Sequence, residues 1–393
     1  MDFTNLKKFM DHMAAERTPG NAAVVYLGGK QVFRYACGYS DLDTKQELTG
    51  DEMFNIYSCS KITTVTAATQ LLEQGKILIT DPVSDYIPEY KEMYIKTADG
   101  ELVKAKNPIL VGDLFSMTAG LTYNMNSAAF QKAKELTNGK MDTVTVARCI
   151  ASDPISFEPG TRWQYSLCHD VLAALVSVVS GQKFRDYVKE HIFDPLGMKD
   201  CVYHHTDEVL ARMAPLYSFV PKDSPDYDIV EAQKYGNAKE GSFKKQDKGL
   251  GNFVLGEEYD SGGAGITTTM DEYVKLMAAL ANYGKGLNGE RILAPYSVDL
   301  MRTNRLNEQQ LASFNWRQLI GYGYGLGVRT HINPAKSGML SSLGEFGWGG
   351  AAGATAIIDP KLNLGVFYVQ HTLNPREEYY QPRLKNAVYS CLD

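Results

Sequence analysis

The strand-like runs of this chain stand at its two ends, and that separation constrains the fold most. Residues 22–41, AAVVYLGGKQVFRYACGYSD, read as a hairpin: two β-rich runs flank Gly28 and Gly29, which accept positive φ without a steric penalty. In the C-terminal third YGYGLGVRT, GGAAGATAIIDP and LGVFYVQHT are short, β-branched or aromatic and punctuated by glycine, as strands are. From DPVSDYIPEY to about residue 250 helix signals and long polar loops prevail, with HDVLAALVSVVSG the clearest buried helix. A sheet therefore begins, is interrupted by a helical lobe, and resumes. TTTMDEYVKLMAALANYG adds a helix in which Thr269 and Glu272 fit a capping box and Gly284 closes the end. The polar stretch EAQKYGNAKEGSFKKQDKGLGN suits a mobile loop, read as a solvated excursion rather than a substrate lid.

At 393 residues with 44% hydrophobic content the chain buries a core that needs no staples, as one large domain or two lobes. A formal charge of -6 and the lack of a long basic run argue against nucleic acid and anionic membranes as partners. The opening MDFTNLKKFMDHMAAERTPG carries charges every few residues and no apolar core of a leader, so it reads as an amphipathic helix of the fold. VLAALVSVV, Val171 to Val179, is too short to cross a bilayer and packs inside. The six cysteines are scattered without metal-ligand spacing, which suits free thiols in a reducing cytoplasm and no metal site.

FNIYSCSKITTV, residues 54–65, carries the chemistry. Ser58 and Lys61 match S-x-x-K, one helical turn apart, where a strand-like run becomes an apolar helix marked by Val65, Ala68 and Leu72 and stopped by Gly75. A neutral serine hydroxyl needs a base, and a lysine on the same face supplies one once burial and the field of a helix N-terminus penalise its charged form. The bland alternative is a helix N-cap. The pattern alone is weak, because SGQK (Ser180–Lys183) and SFKK (Ser242–Lys245) match it too; the first follows a helix end and the second lies in a charged loop. Cys59 would point away from the face shared by residues 58 and 61. Two further elements stand out. EPGTRWQYS turns at Pro159-Gly160 and places Tyr165 on a connection, where it faces a cleft or simply joins the core of a chain with 24 tyrosines. EFGWGGAAGAT holds Gly349 and Gly350, which open a strand to close approach by another molecule or mark a bulge or tight packing.

Taken in order, these segments resemble the penicillin-recognising serine hydrolases, in particular class C β-lactamases and related esterases. FNIYSCSK resembles F-x-[IL]-x-S-x-[ST]-K, LFSMTAGLTY resembles L-L-[ST]-H-x-[SA]-G-L, and PGTRWQYS resembles P-G-[TE]-x-[WF]-x-Y-S; SGGAGITTTMDEYVKLM is similar to a further family segment, and WGG stands where K-T-G or H-x-G is usual. The likeness runs from about residue 10 to residue 370. It implies an α+β fold: an antiparallel sheet flanked by N- and C-terminal helices with an inserted, mostly helical lobe. Residues 1–80 plus 251–393 would form the sheet lobe and 81–250 the helical lobe, with the active site between.

The resemblance also implies roles. Ser58 is the nucleophile, Lys61 and Tyr165 share the proton network, and the backbone N–H groups of Ser58 and Ala351 form the oxyanion hole. Tyr123, Trp348, Gly349 and Gly350 would bind substrate, and no cofactor is needed. Two departures matter. Leu167 replaces the asparagine of the family's Y-x-N, and Trp348 replaces the cation of K-T-G, so donors for a β-lactam and its carboxylate are gone. Both point to the carboxylesterase branch and small acyl esters. A β-lactamase or D-amino-acid peptidase is the alternative, with an acyltransferase or a non-catalytic ligand-binding member as a third. No G-x-S-x-G elbow is present, and His371 in YVQHT reads as structural, with no triad partners evident.

Overall fold

The computed structural model of the chain describes residues 1–222, 241–246, 255–373 and 375–393. Its centre is an eight-stranded sheet. Across it run Tyr322–Tyr324, Arg329–His331, Phe346–Gly347, Thr355–Asp359, Leu364–Val369, Gly20–Leu27, Lys30–Asp41 and Gln46–Glu47. Every neighbouring pair is antiparallel. Strand Leu364–Val369 pairs with Gly20–Leu27 in register Ala22↔Val369, so the two ends of the chain meet in the middle of the sheet. The expected hairpin turns at Gly28 (φ 58°) and Gly29 (φ 75°), values that only glycine adopts freely.

The pleat sends alternate side chains of Gly20–Leu27 to opposite faces. Ala23 and Val25 join Leu6, Met10 and Met13 of helix Thr4–Glu16 and Tyr380, Leu384 and Val388 of helix Glu377–Tyr389. Ala22 and Val24 face the larger core under helix Met270–Ala281. That helix lies so close that a Cβ on Gly365 would stand 2.7 Å from the Ala278 nitrogen. The α+β architecture with terminal helices on an antiparallel sheet is the one the family resemblance implies.

Helix Ser60–Glu73 runs through the interior, buried from Ser60 to Leu71, against helix Cys168–Ser180. A helix buried all round must satisfy its own hydroxyls. Thr66 and Thr69 donate back to the Ile62 and Val65 carbonyls, and Thr64 donates to Gly262 at 2.7 Å. Gly75 (φ 65°) ends it as expected, and Gly181 (φ 74°) ends Cys168–Ser180.

Two local expectations are corrected. Thr269 caps the Glu272 nitrogen, but the Glu272 carboxylate takes the Lys199 N–H and Lys275 instead of returning to residue 269, so only half of the box forms. SFKK is not loop: Gly241–Lys245 is a strand paired with Tyr217–Pro221. Apart from residues 241–246, the long polar stretch lies outside the described residues.

Candidate active site

Ser58 sits in the short 3-10 turn Tyr57–Cys59, between strand Phe54–Asn55 and helix Ser60–Glu73. The strand pairs with Thr267–Thr268, and the Ile56 N–H continues the ladder to the Ile266 carbonyl. Ser60 holds the same strand, its hydroxyl accepting the Ile266 N–H at 3.0 Å. Tyr57 has φ 45°, a left-handed backbone that costs a non-glycine residue about 1–3 kcal/mol. Its ring is buried with Leu216, Ala352 and Leu373, and that packing holds the turn in place.

The helix-cap alternative for Ser58 does not hold, because the N-cap residue of the helix is Cys59, without a side-chain cap. Ser58 Oγ instead accepts from Lys61 Nζ at 3.2 Å and from the Tyr165 hydroxyl at 2.5 Å. Lys61 is completely buried. Its Nζ donates to the Gly263 carbonyl at 2.8 Å and lies 4.6 Å from the Tyr165 ring centroid and 5.7 Å from that of Tyr123. Hydroxyl, amine and phenol, 107 residues apart at the extremes, thus converge on one oxygen.

Local structure explains how Tyr165 arrives. The Pro-Gly turn puts Gly160 at φ 81°, with its N–H on the Thr118 carbonyl. Gln164 and Leu167 then bond Met117 and Thr122, so the connection runs along SMTAGLT and presents Tyr165 to Ser58. Leu167 points its aliphatic side chain into the core. The SGGAG segment, residues 261–265, threads between the two buried helices: a Cβ on Gly262 would meet the His169 carbonyl at 2.3 Å. That squeeze delivers the Gly263 carbonyl to Lys61.

Aromatic rings make the wall. Tyr165 stacks with both Tyr123, at 5.6 Å, and Trp348, at 5.8 Å. Trp316 lies 5.3 Å from Tyr165 and 6.1 Å from Trp348, and Trp163 lies 6.3 Å from Tyr165 and 5.4 Å from Trp316. Trp316 escaped sequence reasoning; the available signal was that the chain has only three tryptophans, and all three meet here. Asp170 was missed as well, although a carboxylate inside the apolar run HDVLAALVSVV was the sign to look for. It is buried beside the SGGAG segment.

At Gly349 and Gly350 the tight-packing reading has a physical basis. The space of a Cβ at Gly349 is held by Gln381 Nε2 at 2.5 Å, and at Gly350 by the Ile56 carbonyl at 2.1 Å. They serve tight packing, which seats the following residue Ala351, itself exposed, beside the Ser58 turn. Cys59 faces away as expected, its buried thiol near the Trp348 carbonyl at 3.5 Å and pushed upward in pKa by burial. His371 is structural: Nε2 accepts the Asn55 N–H at 3.2 Å and Nδ1 donates to the Pro215 carbonyl. Burial lowers its pKa to about 4. Among the described residues no group of histidine, cysteine or acidic side chains is arranged to hold a metal, and no helix is long and apolar enough to cross a membrane.

The chain belongs to the β-lactamase family, whose model matches residues 6–389. Protein Rv1367c of Mycobacterium tuberculosis is 30% identical over 85% of this chain and 81% of its own. Esterase EstB of Burkholderia gladioli is 26% identical over 93% of this chain and 88% of its own. Among solved structures, EstCE1, described as a hydrolase with promiscuous acyltransferase activity, superposes with a TM-score of 0.75 at 23% identity, covering 98% of this chain and 97% of its own.

Proposed function

We propose that this protein is a serine hydrolase that cleaves small carboxylic esters through an acyl-enzyme on Ser58. The observation that carries the reading is the convergence of Lys61 Nζ and the Tyr165 hydroxyl on Ser58 Oγ. Oγ attacks the ester carbonyl as the Lys61–Tyr165 network takes its proton, and the same network returns the proton to the departing alcohol. The N–H groups of Ser58 and Ala351 receive the developing oxyanion; one such donor contributes roughly 3–4 kcal/mol of transition-state stabilisation. Water, activated by Tyr165, then releases the acid and restores Ser58. No step requires a cofactor.

The site lies where the expected sheet lobe, residues 1–80 and 251–393, meets the helical lobe, residues 81–250. Trp348 supports esters over β-lactams: an indole stacked on Tyr165 offers an acyl group apolar surface where a cation would bind a carboxylate. Tyr123 and Trp316 extend that surface. The name of EstB favours the same substrate class. A second reading, acyl transfer to an alcohol, is favoured by the description of EstCE1 and needs only that an alcohol replace water at the second step. Six free cysteines suit a cytoplasmic setting.

Turnover of short-chain nitrophenyl esters against a chromogenic cephalosporin tests the reading. Ester hydrolysis should dominate, and Ser58→Ala should lose at least about 10³-fold in kcat. Rapid cephalosporin cleavage without ester turnover reverses the assignment. An acyl adduct on the Ser58 peptide that persists in water and leaves on adding alcohol assigns transfer instead.

A further inference from the structure

Lys61 is enclosed by unlike neighbours. On one side stand Ser58 and the rings of Tyr123 and Tyr165. On the other lies the strap Ser261–Gly263, and behind it Asp170, on the first turn of helix Cys168–Ser180 and only 2% exposed. Asp170 Oδ1 accepts three hydrogen bonds: from the Tyr259 hydroxyl at 2.9 Å, the Ser261 hydroxyl at 2.7 Å and the Gly263 N–H at 3.3 Å. Its second oxygen, Oδ2, is buried with no hydrogen-bond partner among the described residues. A Cβ added to Gly263 would lie 2.6 Å from that oxygen and 3.3 Å from Lys61 Nζ, so the two atoms flank a single atom position.

Such an arrangement is costly unless it does something. A buried carboxylate oxygen left without a donor is destabilising, and a buried ammonium without a counter-charge is equally so. The two groups make no direct ion pair, but across the strap each charge lowers the cost of burying the other. The remaining titratable neighbours supply no alternative partner: His169, on the same helix, is held neutral by burial and by Lys61, its pKa lowered to about 3, and burial keeps the Cys59 thiol protonated.

We infer that Asp170 is a positioning residue for the reaction: it pins the strap whose Gly263 carbonyl orients Lys61, and its Oδ2 holds Lys61 as the ammonium. This rests on the reading of Ser58 as nucleophile, and it gives Lys61 the part of an electrostatic partner to Ser58 Oγ and Tyr165 rather than of the resting base. Removing the negative charge behind the strap makes the proton shared by Ser58, Lys61 and Tyr165 easier to lose, whichever member carries it.

The test is the pH dependence of Ser58 labelling by a fluorophosphonate, followed by mass spectrometry, which reads nucleophilicity without assuming an ester substrate. Asp170→Asn keeps the shape and the Oδ1 acceptor but not the charge. Its labelling profile should move at least about one pH unit toward acid. Ser261→Ala, which removes one bond to Oδ1 and no charge, should lower Tm and leave the profile in place. A profile for Asp170→Asn that superimposes on wild type, or an equal shift in Ser261→Ala, overturns the proposal in favour of a scaffold role. Should Asp170→Asn fail to fold, nitrogen-15 labelled lysine in the wild-type protein decides: an ammonium signal from Lys61 at pH 7 supports the proposal, and a neutral amine sinks it. Failure of Ser58 to label at any pH would instead reject the nucleophile assignment itself.

Discussion

Three segments of this chain spell serine, two residues, lysine, and two of them fold into opposite things. At Ser58–Lys61 the backbone is helical, residues three apart share a face, and Nζ stands 3.2 Å from Oγ. At Ser242–Lys245 the backbone is a strand, where positions three apart point to opposite faces. Lys245 turns to Asp41 at 2.7 Å and Asp43 at 3.2 Å, while Ser242 pairs in register with Val220. The third match, Ser180–Lys183, straddles a helix end, and its lysine pairs with Glu258. Spacing becomes chemistry only where the local fold brings the two groups together and a third arrives from elsewhere.

That contrast can be broken by experiment. The largest effect belongs to Lys61→Met, which keeps the buried volume and removes the amine: kcat on esters should fall about 10²- to 10⁴-fold with Tm little changed. A variant retaining wild-type turnover would reduce the helical match to the rank of the strand match.

His371 sharpens the comparison from another side, as a buried and potentially reactive group that lies outside the convergence. Its folded pKa is about 4, below the ordinary imidazole value, so between the two the unfolded chain binds a proton that the folded chain refuses. Stability present at neutral pH is therefore lost as pH falls through that window, by about 2 kcal/mol at pH 5. His371→Gln, able to keep both backbone bonds, should leave kcat unchanged and shrink the Tm drop between pH 7 and pH 5. An unaltered drop would show that this imidazole does not set acid sensitivity. The smallest effect is expected for Lys245→Ala: unchanged kcat/KM, and under about 1 kcal/mol in stability by denaturant titration, as for other exposed ion pairs.

How much was legible follows from the range of the interactions. Ser58 and Lys61 are close in sequence, so helix periodicity alone places them together. Tyr165 needed a motif, since nothing in residues 158–166 reveals that the connection docks on Met117 and Thr122. Trp316 and Asp170 gain their meaning only from contacts with distant segments, with Trp348 and with Gly263. The glycines at 349 and 350 left two readings open for a related reason: a missing side chain announces a close approach without naming what approaches, and the atoms there are those of Gln381 and Ile56. The sheet was easier, because the hairpin at Gly28-Gly29 and the glycine-punctuated runs near the C-terminus carry their pairing tendency locally.

All three tryptophans of the chain stand in the wall around Tyr165. Indole emission from the whole molecule therefore originates at this wall, with no indole background from other parts of the protein. Seating an acyl chain against Trp316 and Trp348 would change the intensity or colour of that light directly, so occupancy can be followed in real time without any added dye.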